Sequence, residues 1–138
     1  MSQDILTFYQ HSYYGNGYAG IVCNSFNNPT SYREYLQGQL SEPLVQNKCY
    51  HVEYWTLLSG ISYSAIDAFG IFFSDTLPKK DNAHQLFNFQ AQIENRVNNV
   101  IIDTTNWTKI SGDFTANGGE QFLQLELLKH NRILILFI

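Results

Sequence analysis

The sequence is poor in charged residues. Asp, Glu, Lys and Arg make up 14% of its 138 residues, against about 25% in an average soluble domain. The formal net charge is −4, and no run of Lys or Arg occurs. Because binding to nucleic acid depends on a basic face that neutralises phosphates, we set nucleic acid aside as a partner.

Leader and membrane-spanning segments are also missing. The opening residues, MSQDILTFYQ, contain neither a basic leader nor an apolar core, so they do not resemble a signal peptide. The apolar C-terminal run ILILFI has six residues, far short of the roughly 20 that span a bilayer. We therefore expect no membrane insertion, and the leader of a secreted parent protein would have been removed.

Cysteine is scarce. Only Cys23 and Cys49 are present, so at most one disulfide can form. A bridge would require an oxidising compartment, and two cysteines do not identify one. Both residues fall in predicted strands, where a free thiol commonly behaves as a small apolar group. We therefore favour two unpaired, buried thiols over a disulfide.

Recognisable catalytic motifs are absent as well. The sequence has no nucleophile elbow, phosphate-binding loop or dinucleotide fingerprint. Its four histidines are scattered, without the spacing of zinc ligands. Glycoside hydrolysis needs two carboxylates that flank the scissile bond. Glu53, which lies two residues from Trp55 on one predicted strand face, is the nearest approach to such a site, and a polar rim residue is its simpler interpretation.

Aromatic and neutral polar residues take the place of charge. The chain has nine Tyr, ten Phe and two Trp, and it is rich in Asn, Gln, Ser and Thr. Aromatic rings stack on sugar rings, while amides and hydroxyls match sugar hydroxyls. The composition therefore favours a glycan or polysaccharide partner, and a β-rich surface protein without a ligand carries similar weight. Nine tyrosines exceed what a small core buries, so we expect some of them to face water.

Short runs of β-branched and aromatic residues, separated by Gly, Asn, Pro and Asp, predict a single all-β domain over residues 1–138. The predicted strands are Tyr18–Cys23, Tyr32–Leu40, Cys49–Leu58, Ala68–Ser74, Trp107–Phe114 and Arg132–Ile138, with others near Val100–Ile102 and after Gln121. About seven or eight strands at this spacing are typical of a two-sheet antiparallel sandwich.

Four local features refine this prediction. Large apolar groups alternate onto both faces of Cys49–Leu58, which indicates a central strand covered on both sides. The amide-rich segment Asp81–Asn99 is either a functional loop or a loop with a short strand. Gly15-Asn16-Gly17 and Asn117-Gly118-Gly119 each indicate a turn with positive φ angles. Trp107 is expected to fill the core, because it opens a strand with other apolar residues.

The order of several short motifs resembles a known family. The motifs are GYAGI at 17–21, YREYL at 32–36, Leu40 with Pro43-Leu44, YHVEY at 50–54, DAFGIFFS at 67–74, IDTTNW at 102–107 and GGEQFL at 118–123. Together they resemble the jelly-roll, galactose-binding-like domain that precedes OmpA-like or gliding-motility modules in large bacterial surface proteins. The resemblance covers residues 17–123, and it implies a two-sheet jelly roll in an extracellular or cell-surface bacterial protein without established catalytic residues.

The chain departs from this family at both ends. Members carry a further segment and strand upstream of the position of Met1. After Leu123 they continue as Thr-Ile-Gly-Asn-Phe, whereas this chain reads QLELLK over 124–129. One codon set for these residues, read one base earlier, encodes Thr-Ile-Gly-Thr-Phe-Lys. We therefore hypothesise that the atypical tail, 124–138, is frameshifted and that the chain is a fragment of a larger gene.

The tail ends in an uncharged, β-prone run. Such a run pairs with open sheet edges. We expect ILILFI to add to a sheet of its own chain or of a partner, which would make homo-oligomers through the edge strands or the tail.

We predict a non-catalytic carbohydrate-binding or adhesion module. Its predicted ligand-binding residues are Trp55, Tyr35, Tyr32, Glu53, Tyr63 and Tyr14, with Tyr13 as a further aromatic candidate. A structural or assembly domain without a small ligand is the alternative, and a glycoside-processing enzyme is the third interpretation. Sandwich domains of this kind often hold a structural calcium ion, for which Asp103 and Asp67 are the candidate ligands.

Overall fold

In a computed structural model of this chain, all the regular secondary structure of the described residues is β-strand. The described residues are 11–22, 34–62, 65, 69–79, 90–95, 98–127 and 135–137. The strands are β1 (Gly20–Val22), β2 (Leu36–Gln39), β3 (Cys49–Leu58), β4 (Phe69–Ser74), β5 (Ile93–Glu94), β6 (Thr108–Thr115), β7 (Phe122–Leu127) and β8 (Ile135–Phe137). The described residues contain no helix, so none there is available to cross a membrane. The predicted all-β class is confirmed.

The strands form two antiparallel sheets of four strands each. The first sheet has the order β1-β8-β3-β6, and the second has the order β2-β7-β4-β5. The pairs β1–β8, β2–β7, β3–β6 and β4–β5 are nested, since each joins strands equally far from the two ends of the series. The chain therefore folds back on itself around β4 and β5.

One apolar core lies between the two sheets. Tyr54 of the first sheet meets Phe69 of the second edge to face, with ring centroids 6.0 Å apart. Phe114 and Phe73 stack across the same interface at 4.9 Å. Other members of this cluster are Ile21, Leu58, Ile71, Ile93, Ile101, Ile110 and Leu125. Burial of each large side chain contributes roughly 1.5–3 kcal/mol, and the arrangement is consistent with the predicted sandwich.

β3 spans the boundaries that the sequence predicts, and it is an inner strand of the first sheet. Its outer face is covered only in part, because Leu57 is buried whereas His51 and Glu53 are exposed. Cys49 is a free thiol, and it is exposed because it lies on this outer face at the start of the strand. The prediction of a buried thiol is therefore wrong for Cys49, and Cys23 lies outside the described residues.

The C-terminal run adds to the sheet of its own chain. β8 lies between β1 and β3, where Leu136 stands opposite Ile21 on one side and opposite Leu58 on the other. The residues just after Leu123 continue β7, which pairs with both β2 and β4. The tail thus supplies inner strands to both sheets, while the predicted oligomer stays a prediction.

Within the segment 81–99, the structure has the short strand that was one of the two predicted alternatives. β5 pairs with β4 through only two residues of each strand. The Gln92 side chain then extends this pairing, because its Oε1 accepts a bond from the Phe73 N–H at 2.8 Å and its Nε2 donates to the Phe73 carbonyl at 2.9 Å. A side-chain amide thereby replaces one step of backbone ladder.

The turn between β6 and β7 has the predicted positive φ angles. They are 97° at Gly118 and 90° at Gly119. The Glu120 carboxylate closes the turn, since it accepts hydrogen bonds from the Asn117 and Gly118 N–H groups at 2.7 and 2.8 Å. This turn sets where β7 begins after β6.

Alanine substitutions at the two glycines should differ in cost. Gly119→Ala adds a methyl group that is 4.0 Å from its nearest neighbour. It should therefore reduce the free energy of unfolding by only about 1–2 kcal/mol, the cost of an alanine at positive φ. In Gly118→Ala the new carbon lies 2.8 Å from the Gln46 Cβ and 3.1 Å from its Cα, which should destabilise the fold further. Urea unfolding of both variants measures the difference, and equal losses would show that residue 46 yields without cost.

Candidate functional site

An aromatic cleft of about 220 Å³ lies on the outer face of the first sheet, where residues 11–18 cross it. We call residues 11–18 the aromatic strap. The walls of the cleft are almost wholly apolar, and they comprise Tyr13, Tyr14, Gly17, Tyr18, Tyr54, Trp55 and Trp107. Tyr14 is 91% exposed and Tyr13 is 55% exposed. Such a cluster of exposed rings is typical of a contact surface.

The two strands β3 and β6 bring the indole rings to this face. Trp55 lies on the outer face of β3, and its partner across the ladder is Lys109. Trp107 immediately precedes β6, two residues before Lys109. Because alternate residues of adjacent strands share a face, this register places both tryptophans beside the strap.

Trp107 is half-buried and is not part of the central core, so its predicted core role is wrong. Its indole N–H donates a hydrogen bond to the His11 carbonyl at 2.9 Å. The Tyr18 ring meets the Trp107 ring edge to face at a centroid distance of 6.2 Å. An indole has an apolar body and one polar N–H, which suits it to a surface position where it anchors the strap.

The strap has a tight turn of its own. The Ser12 hydroxyl donates to the Gly15 carbonyl at 2.7 Å, and Gly15 has a φ of 67°, a conformation that glycine adopts without steric cost. The turn holds Tyr13 and Tyr14 between the two anchors of the strap at His11 and Tyr18. The predicted positive-φ turn near Gly15 is thus confirmed.

Trp55 supports another ring rather than offering an open face. Tyr13 stacks on Trp55 with a centroid separation of 4.4 Å and an interplanar angle of 16°. The Lys109 ammonium lies 5.7 Å from the centroid of the same indole, within the range of a cation–π contact. The rings that are open to a ligand are therefore Tyr13 and Tyr14.

Four charged or ionisable side chains follow the outer faces of β3 and β6 beside the cleft. Lys109 forms an ion pair with Glu53. The Glu53 carboxylate lies 3.6 Å from His51 Nε2, and His51 Nδ1 lies 2.7 Å from the Asp113 carboxylate. The hydrogen bond from Lys109 lowers the pKa of Glu53 below its ordinary value. A general acid in glycoside hydrolysis needs a raised pKa, so this environment does not suit Glu53 to that role.

A second, larger depression of about 570 Å³ lies on the other side of Lys109. Its lining is polar, and it comprises Glu94, Asn95, Asn98, Asn99, Lys109, Ile110 and Ser111. We call it the amide groove. It lies between β5 and β6, which are edge strands of the two sheets. Its amides belong to the segment for which the sequence predicts a functional loop or a short strand.

Hydrogen bonds fix the shape of the amide groove. The buried Asn95 amide donates to the Asn99 carbonyl and accepts a bond from the Asn99 amide, both at 2.7 Å. Asn98, between them, has a φ of 72°, in the left-handed region that asparagine tolerates better than most residues. The exposed Asn99 amide is therefore held in place by Asn95.

Asp103 closes a turn. Its Oδ1 accepts hydrogen bonds from the N–H groups of Thr105 and Asn106 at 2.8 and 2.7 Å. The backbone bond from Asn106 is the main cause that lowers the pKa of Asp103. Asp67 lies outside the described residues. Within the part of the chain that is described, no group of three His, Cys, Asp or Glu side chains is placed to hold a metal ion, and the calcium site stays a prediction.

The predicted ligand-binding residues fall in different places. Trp55, Glu53 and Tyr14 come together at the cleft and its charged border. Tyr35 precedes β2 in the second sheet and does not line the cleft. Tyr32 and Tyr63 lie outside the described residues. Lys109 and Tyr18 were not predicted from the sequence as site residues. Trp107 and Lys109 are two positions apart in a predicted strand, and this spacing could have indicated that they share a face.

The turn at Asp103 should make stability depend on pH. The pKa of Asp103 in the folded protein is lower than its ordinary value of 3.8. The ionised carboxylate therefore stabilises the fold at pH values above 3.8, and this contribution is lost as the pH falls through the folded-state pKa. Between about pH 6 and about pH 3, Asp103→Ala should therefore lose less stability than the wild-type chain. Thermal unfolding at both pH values measures this. Asp75→Ala, at an exposed acid, is the control, and identical pH dependence of wild type and Asp103→Ala would contradict the expectation.

The stack of Tyr13 on Trp55 predicts a fluorescence change. With the Trp107 anchor of the strap kept, Tyr13→Ala should raise the acrylamide quenching of tryptophan emission, because it uncovers the Trp55 indole face. Tyr14→Ala is the matched control, since Tyr14 is 91% exposed and no stack with Trp55 involves it. Equal quenching in the two variants would show that Tyr13 does not cover Trp55 in solution.

Similarity to known proteins does not indicate a function for the cleft and the groove. Comparisons with protein-family models, with curated proteins and with solved structures find no match to the chain. Its function therefore has to be argued from the aromatic cleft, the charged side chains beside it and the amide groove.

Proposed function

We propose that this chain is a non-catalytic carbohydrate-binding or adhesion module of a bacterial surface or secreted protein. The observation that carries this proposal is the aromatic cleft, in which Tyr13 and Tyr14 present exposed rings next to a polar groove. The apolar faces of sugar rings stack on aromatic side chains, and sugar hydroxyls bond to amides and hydroxyls. Both kinds of group occur here on one side of the molecule.

The charges beside the cleft favour a neutral ligand. Lys109 is paired with Glu53, and His51 lies between the carboxylates of Glu53 and Asp113. Lys109 is the only cation among the described residues that line the cleft or the groove, whereas a site for an anionic ligand would have a cation left available for it. Neutral sugars make no such demand, so the paired charges support them as ligands.

We infer further that the domain is a jelly roll. The nested pairs β1–β8, β2–β7, β3–β6 and β4–β5 support this inference, because they are what results when one long hairpin wraps into two facing sheets. The described part of the chain has eight strands in two sheets, which is also the strand count of the double-sheet jelly roll. The resemblance of residues 17–123 to domains of bacterial surface proteins adds the expected location, and calcium at Asp103 and Asp67 belongs to the same proposal.

Removal of one exposed ring should weaken glycan binding. Tyr14→Ala should reduce affinity several-fold for any polysaccharide that the wild-type chain retains, because an aromatic contact is worth roughly 0.5–1.5 kcal/mol beyond its buried area. Affinity electrophoresis against a set of neutral plant and microbial polysaccharides measures this. Ile102→Ala is the control, since Ile102 is 70% exposed and does not line the cleft.

The outcomes separate the proposed functions. Binding that Tyr14→Ala weakens and Ile102→Ala leaves unchanged supports the carbohydrate-binding module. A folded wild-type chain that binds none of the polysaccharides contradicts it and favours a structural or assembly domain. Release of reducing sugar that Glu53→Gln abolishes would instead identify a glycoside-processing enzyme.

A further inference from the structure

The aromatic cleft and the amide groove meet at one side chain. Lys109 lines the groove, and its ammonium lies 5.7 Å from the ring centroid of Trp55, which lines the cleft. Lys109 and Ser111 both lie on the exposed face of β6. The two depressions are therefore neighbours on the surface, with the Lys109 side chain between them.

The amide groove is large enough for a typical small-molecule ligand, whereas the aromatic cleft is not. Pockets for small molecules commonly measure about 300–1,000 Å³. The cleft, at about 220 Å³, falls below this range, so it offers room for little more than one ring-sized group. The groove, at about 570 Å³, lies within the range. A ligand that used both would be longer than a single sugar.

The chemistry of the groove suits the hydroxyls of a sugar chain. A primary amide has two N–H donors and an acceptor oxygen, and the Asn99 amide uses one N–H on Asn95. The Ser111 hydroxyl can both donate and accept, as sugar hydroxyls do. Glu94 adds a carboxylate that accepts hydrogen bonds from hydroxyls. The described residues of this lining include no aromatic ring, so the groove would bind through polar contacts, whereas the cleft would bind by stacking.

We propose that the ligand is a neutral oligosaccharide of several units that lies across Lys109, with one unit against Tyr13 and Tyr14 and the next units in the amide groove. This inference rests on the proposed carbohydrate-binding function and specifies its ligand as a chain rather than a single sugar. Affinity then increases with chain length until the groove is filled. The paired Lys109 and Glu53 offer both a donor and an acceptor to the unit that crosses them.

A ladder of oligosaccharides tests this inference. The probes are neutral β-1,4-linked gluco-, xylo-, manno- and galacto-oligosaccharides of one to about six units, titrated by calorimetry against the full chain. In the groove, Asn98→Gly removes an amide and keeps a residue that adopts the φ of 72° at this position. Ser111→Ala is the second groove variant, because it lies on β6 and does not touch that turn. Tyr14→Ala is the cleft variant.

The expected result is a rise in affinity with chain length in the wild-type protein. Each groove variant should reduce binding of the longer chains by about two- to tenfold, the effect of one hydrogen bond, and should leave binding of the single sugar unchanged. Tyr14→Ala should weaken binding at every length. Circular dichroism confirms that each variant is folded before titration.

Other outcomes overturn the inference in distinguishable ways. Wild-type affinity that is the same for one unit and for six, with no effect of either groove variant, would contradict the chain-spanning ligand while the carbohydrate-binding function stands. Loss of single-sugar binding in the groove variants would place the sugar in the groove and refute the proposed arrangement. A folded wild-type chain that binds no probe and no polysaccharide would refute the proposed function itself.

Discussion

The pairing of β3 with β6 is the interaction on which the rest of the structure depends. Residues Cys49–Thr56 stand opposite Thr108–Thr115 in a single antiparallel register. Because side chains alternate between the two faces of a sheet, this register fixes both faces together. It directs Tyr54 into the core against the second sheet, and it sets Trp55 beside Lys109 on the outside. The core, the cleft and the border of the amide groove therefore have a common structural cause.

The two parts of the proposed site are held by different forces. The contacts that hold the aromatic strap include an indole hydrogen bond, a ring stack and an edge-to-face contact, each of which is worth about 1 kcal/mol. The groove is shaped instead by the edge strands and by the reciprocal Asn95–Asn99 bonds. In the proposed site, the strap would supply rings that stack on a sugar, and the groove would supply polar groups that include the Asn99 amide held by Asn95.

Sequence reasoning predicted what depends on local pattern. The alternation in Cys49–Leu58 gave the boundaries of β3, and the glycines at 118 and 119 gave the positive-φ turn, because both are properties of a few adjacent residues. It placed Trp107 in the core wrongly, since the position of that ring depends on a contact with His11, 96 residues earlier. Cross-strand register and the return of the tail between β1 and β3 are likewise long-range, and a single sequence does not encode them in any local window.

The shared register of β3 and β6 also limits how this protein can diversify. Insertion of a single residue within either strand would turn every following side chain to the opposite face, which would exchange core residues for site residues. Variation within the strands is therefore confined to substitution. The strap contacts the Trp55 and Trp107 side chains of the sheet and takes no part in the β3–β6 ladder, so its length can change without disturbing that ladder. Under the proposed function, a change of specificity would then begin in the strap.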